Sequence, residues 1–213
     1  MSEISLVPSA PAPILQNKGQ RTASRILDAA EELFARRGYD ATSLRDIATR
    51  AELQQPGLYK HFTGKEDLYR QVYKRALQPM TDLMDATLES SDGGFEELTD
   101  RITDLLSVHP NIARLLVRAT ISSDEKPDLV ALDWLDKLVG YGQKFSAKAG
   151  LSLSDNLIAV QIVATFNMLF GFFWAAPLIE GATGKPPNDG AIIDLQKALL
   201  RNFVMSMGRG LSE

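Results

Sequence analysis

Between Ser43 and Tyr69 the chain reads "SLRDIATRAELQQPGLYKHFTGKEDLY", and six side chains in it combine long reach with hydrogen-bonding capacity. Arg45, Gln54, Gln55, Tyr59, Lys60 and His61 suit recognition rather than bond-making. A Gln amide can bond adenine through both its atoms, a Lys reaches guanine or a phosphate, and Tyr and His bond phosphate oxygens. Plainer roles exist for two of them: Tyr59 can pack beside Phe62, and His61 can simply be solvated. Neither His61 nor His109 has a second His at ligand spacing or a carboxylate cluster beside it, so no metal site is expected. His109 precedes Pro110 and reads as a helix border.

These side chains need a scaffold, and the flanking periodicity supplies one. In "TASRILDAAEELFARRG", Ile26, Leu27, Ala30, Leu33 and Phe34 form one helical stripe that ends at Gly38, a suitable C-terminal cap. Leu44, Ile47, Ala48 and Ala51 repeat at helical spacing behind Ser43. Asp46, three residues on, completes an acidic variant of the capping box. A third short piece has Pro56, tolerable only in a first turn, and the anchors Leu53, Leu58 and Phe62. Thr63 and Glu66 predict a T-x-x-E capping box opening a further helix through Leu68 and Val72. Helices this short are marginal alone, so the three must share an apolar centre as a helix-turn-helix unit. The helix N-termini at Ser43 and Thr63 add backbone N–H groups and a positive dipole end that attract anions.

At this point the resemblance becomes specific. The run from Thr22 to Tyr69, with "RILDAAEELFARRGYDATSLRDIATRA", "GLYKHF" and "GKEDLY" in order, resembles the DNA-binding domain of the TetR family of transcriptional regulators. The resemblance implies that 44–51 is the positioning helix and about 55–61 the recognition helix. It puts Ser43, Arg45, Tyr59, His61 and Lys65 at positions that contact the DNA backbone. Gln54, Gln55, Gly57 and Lys60 fall where the family approaches bases. Two positions depart from the pattern. Glu52 stands where a turn Gly is usual, and Gln54 replaces the usual Ser/Thr cap.

The remainder reads as helices at about 79–90, 94–107, 110–121, 128–148, 155–178 and 189–207, divided by turn-rich "SSDGG", "HP", "SSDEKPD", "GLSLS" and "EGATGKPPNDG". The fold class is therefore all-α. Three divisions are expected: a flexible Pro-rich tail over 1–20, a helix-turn-helix domain over 21–68, and a helical effector-binding and dimerisation domain over 69–213. Net charge is −4, divided as +3 over residues 1–75 and −7 over 76–213, which suits a DNA-facing front on an acidic body.

Several classes are disfavoured. The chain has no Cys, so disulfides and thiolate zinc sites are excluded. "GATGKPP" lacks the first Gly and the Ser/Thr of a phosphate loop. Residues 76–213 hold no nucleophile–base pairing, so no enzyme and no cofactor are expected. The N-terminal residues lack the basic start and apolar run of a secretory signal, which predicts a cytoplasmic protein. The apolar run Leu157–Ile179 is long enough to span a membrane, but Gln161, Thr165, Asn167 and Pro177 interrupt it, and a buried interface helix is preferred.

The resemblance further implies a homodimer built from the last two helices, a double-stranded DNA operator, and a small-molecule effector that controls DNA binding. Phe173, Leu195, Leu199 and Phe203 are the expected dimer anchors. Met84, Trp134, Tyr141, Phe145, Phe166 and Phe170 are expected to line a pocket for an apolar or amphipathic molecule, with Gln161, Asn167 and Thr165 as polar points. Asp133 and Asp136 leave room for a cation if they turn inward. Two other readings stay open here: a DNA-binding protein without effector, and an enzyme carrying a DNA-binding head.

Overall fold

The stripe on the first segment becomes a 20-residue helix, α1 (Lys18–Arg37), which buries Ile26, Ala29, Ala30, Leu33 and Phe34. The computed structural model describes residues 18–91, 94–121 and 129–210. Most of the expected tail therefore lies outside the described residues, while 18–20 already belong to α1. Gly38 closes the helix at φ +82°, its N–H donating to the Phe34 carbonyl at 2.9 Å. Glycine takes that left-handed conformation without a Cβ penalty.

Next come α2 (Leu44–Arg50) and α3 (Gln55–Leu58). Ser43 and Asp46 form the expected reciprocal box. Gln54 precedes α3 without capping it through its side chain, and Pro56 lies in the first turn. The turn between them is a Schellman motif: the Leu53 N–H donates to Ala48 (2.8 Å) and the Glu52 N–H to Thr49 (3.1 Å). Glu52 occupies the glycine-preferring position at φ 55°.

Two sequence expectations are corrected in α4 (Lys65–Glu89). The Thr63–Glu66 box does not form. Asp67 instead reaches back to the Thr63 N–H at 2.8 Å, while Glu66 pairs with Arg70 one turn on. Nor does a new helix begin at Pro79, because α4 runs through it. Proline there removes the bond to the Arg75 carbonyl. The buried neighbours Ala76, Leu77, Met80 and Met84 keep the helix continuous.

The body adds α5 (Phe95–Val108), α6 (Pro110–Ile121), α7 (Leu129–Lys148), α8 (Asp155–Trp174), α9 (Ala176–Thr183) and α10 (Gly190–Gly210). The single helix expected over 155–178 divides at Ala175. Pro177 falls in the first turn of α9, where its missing N–H costs nothing. No strand occurs among the described residues. One connected apolar core extends from Ile26 in α1 to Leu200 in α10. The expected boundary at 68/69 falls inside α4, whose early residue Tyr69 packs on Phe34 of α1 and whose late residues Asp85 and Thr87 bond to Tyr141 and Lys148 of α7.

Candidate nucleic-acid interface and apolar cavity

The core of α1–α3 determines which side chains point outward. Ile47, Leu58 and Phe62 are buried, as is the Tyr69 ring, which packs on Phe34 and Tyr39. With those positions turned in, Ser43, Arg45, Gln54, Gln55 and Lys60 are exposed, and Tyr59 is 53% exposed. That exposure removes the packing alternative for Tyr59. His61 and Gly57 are half-buried. A Cβ on Gly57 would meet nothing of the protein within 4 Å, so internal packing does not require a glycine there.

The α2 end is held in several ways. Ser43 Oγ accepts the Asp46 N–H at 3.1 Å, and Asp46 Oδ2 accepts the Ser43 N–H at 3.1 Å and its hydroxyl at 2.6 Å. Those bonds, above all the one from the hydroxyl, hold the Asp46 carboxyl below the usual carboxylate range. Arg25 donates to the Ala51 carbonyl, and Arg50 pairs with Glu32 at 2.5 Å. Arg45 and Lys60 take part in none of the ion pairs among the described residues.

Lys65 is more constrained than its sequence suggests. Its ammonium lies 4.2 Å from the Tyr39 ring centroid and donates to the Asp40 carbonyl at 3.5 Å. Tyr39, which sequence reasoning did not single out, thus forms a shelf that fixes Lys65 at the start of α4. The Gly38-Tyr39 pairing was the signal for it.

Farther from the head, α4, α5, α7 and α8 line a partly open cavity of about 60 Å³. Five of the six expected lining residues border it: Met84, Tyr141, Phe145, Phe166 and Phe170. Trp134 does not. It is 5% exposed in the core, and its Nε1–H has no partner among the described residues. Of the expected polar points only Thr165 reaches the wall; Gln161 and Asn167 do not line it. Asp133 and Asp136 are exposed rather than turned inward.

Met80, Phe95, Thr99 and Gly142 join the lining without having been foreseen. Gly142 allows a close approach of α7 to α8, since a Cβ there would lie 2.5 Å from Ile158 Cγ2. At the rim, the Tyr141 hydroxyl donates to Asp85 Oδ1 at 2.6 Å. Burial, then that bond and the charges of Asp85 and Asp82, push the phenol up to about 12.

The expected dimer anchors divide. Leu195 and Leu199 are 63% and 59% exposed on α10, and Phe203 is half-buried. Phe173, at 2%, turns into the chain's own core and cannot meet a partner. Trp174 and Leu178 beside it are exposed instead. By length and composition α8 is apolar enough to cross a membrane, and 28% of its most apolar window is buried within the chain.

A capped helix-turn-helix head joined through one long helix to an all-α body with an apolar cavity defines the class. The model of the family described as "Bacterial regulatory proteins, tetR family" matches residues 26–72. An HTH-type transcriptional regulator from Mycobacterium bovis is 32% identical over 165 residues, covering 78% of this chain and 79% of that protein. The negative transcriptional regulator of a biofilm operon from Staphylococcus aureus is 26% identical over 102 residues, 47% of this chain; the match spans just over half, 55%, of that relative's length. Among solved structures, a TetR-family transcriptional regulator from Syntrophomonas wolfei superposes with a TM-score of 0.69 at 18% identity, over 91% of this chain and 98% of that one, a likeness of fold. The chain belongs to the TetR family of bacterial regulators.

Proposed function

We propose that the protein is a cytoplasmic, non-enzymatic transcriptional repressor. It binds a palindromic double-stranded DNA operator as a homodimer and leaves it when a small, mostly apolar molecule enters the cavity. The observation that carries this reading is the outward display of Gln54, Gln55, Tyr59 and Lys60 on a segment anchored in the core by Leu58 and Phe62. Gly57, with no protein neighbour at its Cβ position, leaves room there for a base edge to approach the backbone. Arg45, Ser43, His61 and Lys65 then hold phosphates.

A homodimer follows from the exposed Leu195 and Leu199 of α10 and the exposed Trp174 and Leu178 nearby, which a second copy would cover by two-fold symmetry. Each copy presents one head, so the operator has two half-sites about 34–36 Å apart or a longer multiple. The effector acts by population shift: a molecule that fits the cavity better in one head spacing favours that spacing. Since α4 lines the cavity at Met80 and Met84 and begins at Lys65, it connects the two ends.

Selection of bound duplexes from a random pool tests the reading. An enriched inverted repeat is expected; a pool with no enriched sequence would refute a site-specific repressor. On the selected site, Gln55→Ala should relax preference at one base position at a cost of about 1–3 kcal/mol. Lys65→Ala should weaken all sequences alike and lower the salt slope by about 1.

A further inference from the structure

The cavity wall shows which hydrogen bonds an occupant could find. Its lining contains no Lys, Arg, His, Asn or Gln side chain, and its hydroxyls come from Thr99, Thr165 and Tyr141. Each has already committed its hydrogen. Thr99 donates to the Glu96 carbonyl (2.8 Å), Thr165 to the Gln161 carbonyl (2.9 Å) and Tyr141 to the Asp85 carboxylate (2.6 Å). A hydroxyl has one hydrogen and two lone pairs, so what these three still offer is acceptor capacity.

Charge at the rim has the same sense. Asp85 stands beside Tyr141, with Asp82 one turn earlier on α4 and close enough to affect the same phenol. Two lysines of α7 lie nearby, outside the lining. Lys148 is drawn to the end of α4, where it donates to the carbonyls of Thr87 (3.0 Å), Leu88 (3.1 Å) and Ser90. Lys144 lies 5.2 Å from the Tyr141 ring centroid on the exposed side. A buried carboxylate or phosphate would therefore lose its water and gain no donor from the wall.

Resting on the effector reading above, we propose that the cavity selects a hydrocarbon occupant whose polar end, where it has one, donates a hydrogen bond. Alcohols, phenols and amines fit; carboxylates and phosphates are rejected. Met80 and Met84, unbranched and polarizable, allow the wall to adapt to occupants larger than the resting space.

Titration calorimetry on the full-length protein, without DNA, with hexan-1-ol, hexylamine and hexanoate at neutral pH tests this. The alcohol and the amine should bind, and hexanoate should bind at least tenfold more weakly than the alcohol. Asp85→Asn should weaken the amine several-fold more than it weakens the alcohol. Met84→Trp, or Leu98→Trp if that variant does not fold, fills the cavity and should abolish alcohol binding. A hexanoate affinity within tenfold of the alcohol, binding of none of the three, or alcohol binding that survives the filled cavity would each overturn the proposal. Failure of a bound alcohol to release a selected operator would count against the effector reading alone. Tight hexanoate binding that did release it would count against the selectivity alone.

Discussion

Arg118 of α6 donates its Nε–H to the carbonyl of Ala35 in the last turn of α1, at 2.8 Å. Its Nη2 reaches the neighbouring Arg36 carbonyl at 2.6 Å. Carbonyls at a helix end have no partner within the helix and carry partial negative charge, so a guanidinium is a fitting cap for them. Here the cap comes from 82 and 83 residues away and ties the head to the body.

Arg118→Ala should therefore destabilise the whole protein by about 2–4 kcal/mol, since a bond to a charged group contributes about 1.5–3 kcal/mol and the one to Arg36 is exposed to water. Urea unfolding measures it. Arg118→Lys, which keeps the charge but not the fork, should recover less than half of the loss. A loss below about 0.5 kcal/mol for the alanine variant would mean that water replaces the guanidinium freely.

Acid should weaken the start of α2. Asp46 is held below its ordinary value of 3.8 by the bonds from Ser43, so its folded carboxyl binds protons less readily than the unfolded one. The stabilisation is fully present above the unfolded value and is lost as pH falls through the lowered folded value. The stability difference between the wild type and Asp46→Asn should be constant from pH 7 to 5 and shrink below about pH 4. Denaturant midpoints across that range give the comparison, and a difference that grows on acidification would contradict the assignment.

Tyr141 titrates in the opposite direction. Its phenol is pushed up to about 12, so its hydrogen bond to Asp85 stabilises the fold fully below the ordinary value of 10.0 and is lost as pH rises toward 12. Ultraviolet difference titration of the wild type against Tyr141→Phe should show the missing phenol ionising near pH 12. A difference midpoint near 10 would mean that the bond to Asp85 does not persist in solution.

Gly142→Ala should cost about 1–3 kcal/mol, the usual penalty for overpacking. The added Cβ would stand 2.5 Å from Ile158 Cγ2 and 3.1 Å from Ile162 Cδ1, and Ile162 lines the cavity. Thermal unfolding registers the loss. Gly171→Ala in the adjacent helix, where a Cβ meets nothing within 4 Å, should be neutral or slightly stabilising.

The head was legible because most of its decisions are local. The Ser43–Asp46 box, the Gly38 cap and the stripe from Ile26 to Phe34 need only a few neighbours in sequence, and the structure contains all three. The left-handed turn at Glu52 was legible too, since a carboxylate stood where the pattern asks for glycine. One local reading failed, the Thr63–Glu66 box, because Asp67 takes the Thr63 N–H; the other misjudgements depend on packing between distant elements. Pro79 reads as a helix start until Met80 and Met84 are seen buried around it. The aromatic run Phe170–Trp174 does not reveal which ring turns inward; the structure buries Phe173 and leaves Trp174 exposed. Trp134 was assigned to the cavity on residue type alone, and type does not determine which wall a side chain joins.

Gly57 imposes a division between folding and recognition. Inside α3 it disfavours the helix by roughly 0.5–1 kcal/mol relative to alanine, and no neighbouring atom of the protein gains from the missing methyl. Mutational screens scored on folding alone would thus rank alanine above the native residue at this position. Screens scored on operator occupancy would rank it below, if a base edge fills that space. The gap between the two rankings would locate the DNA contact without a structure of the complex.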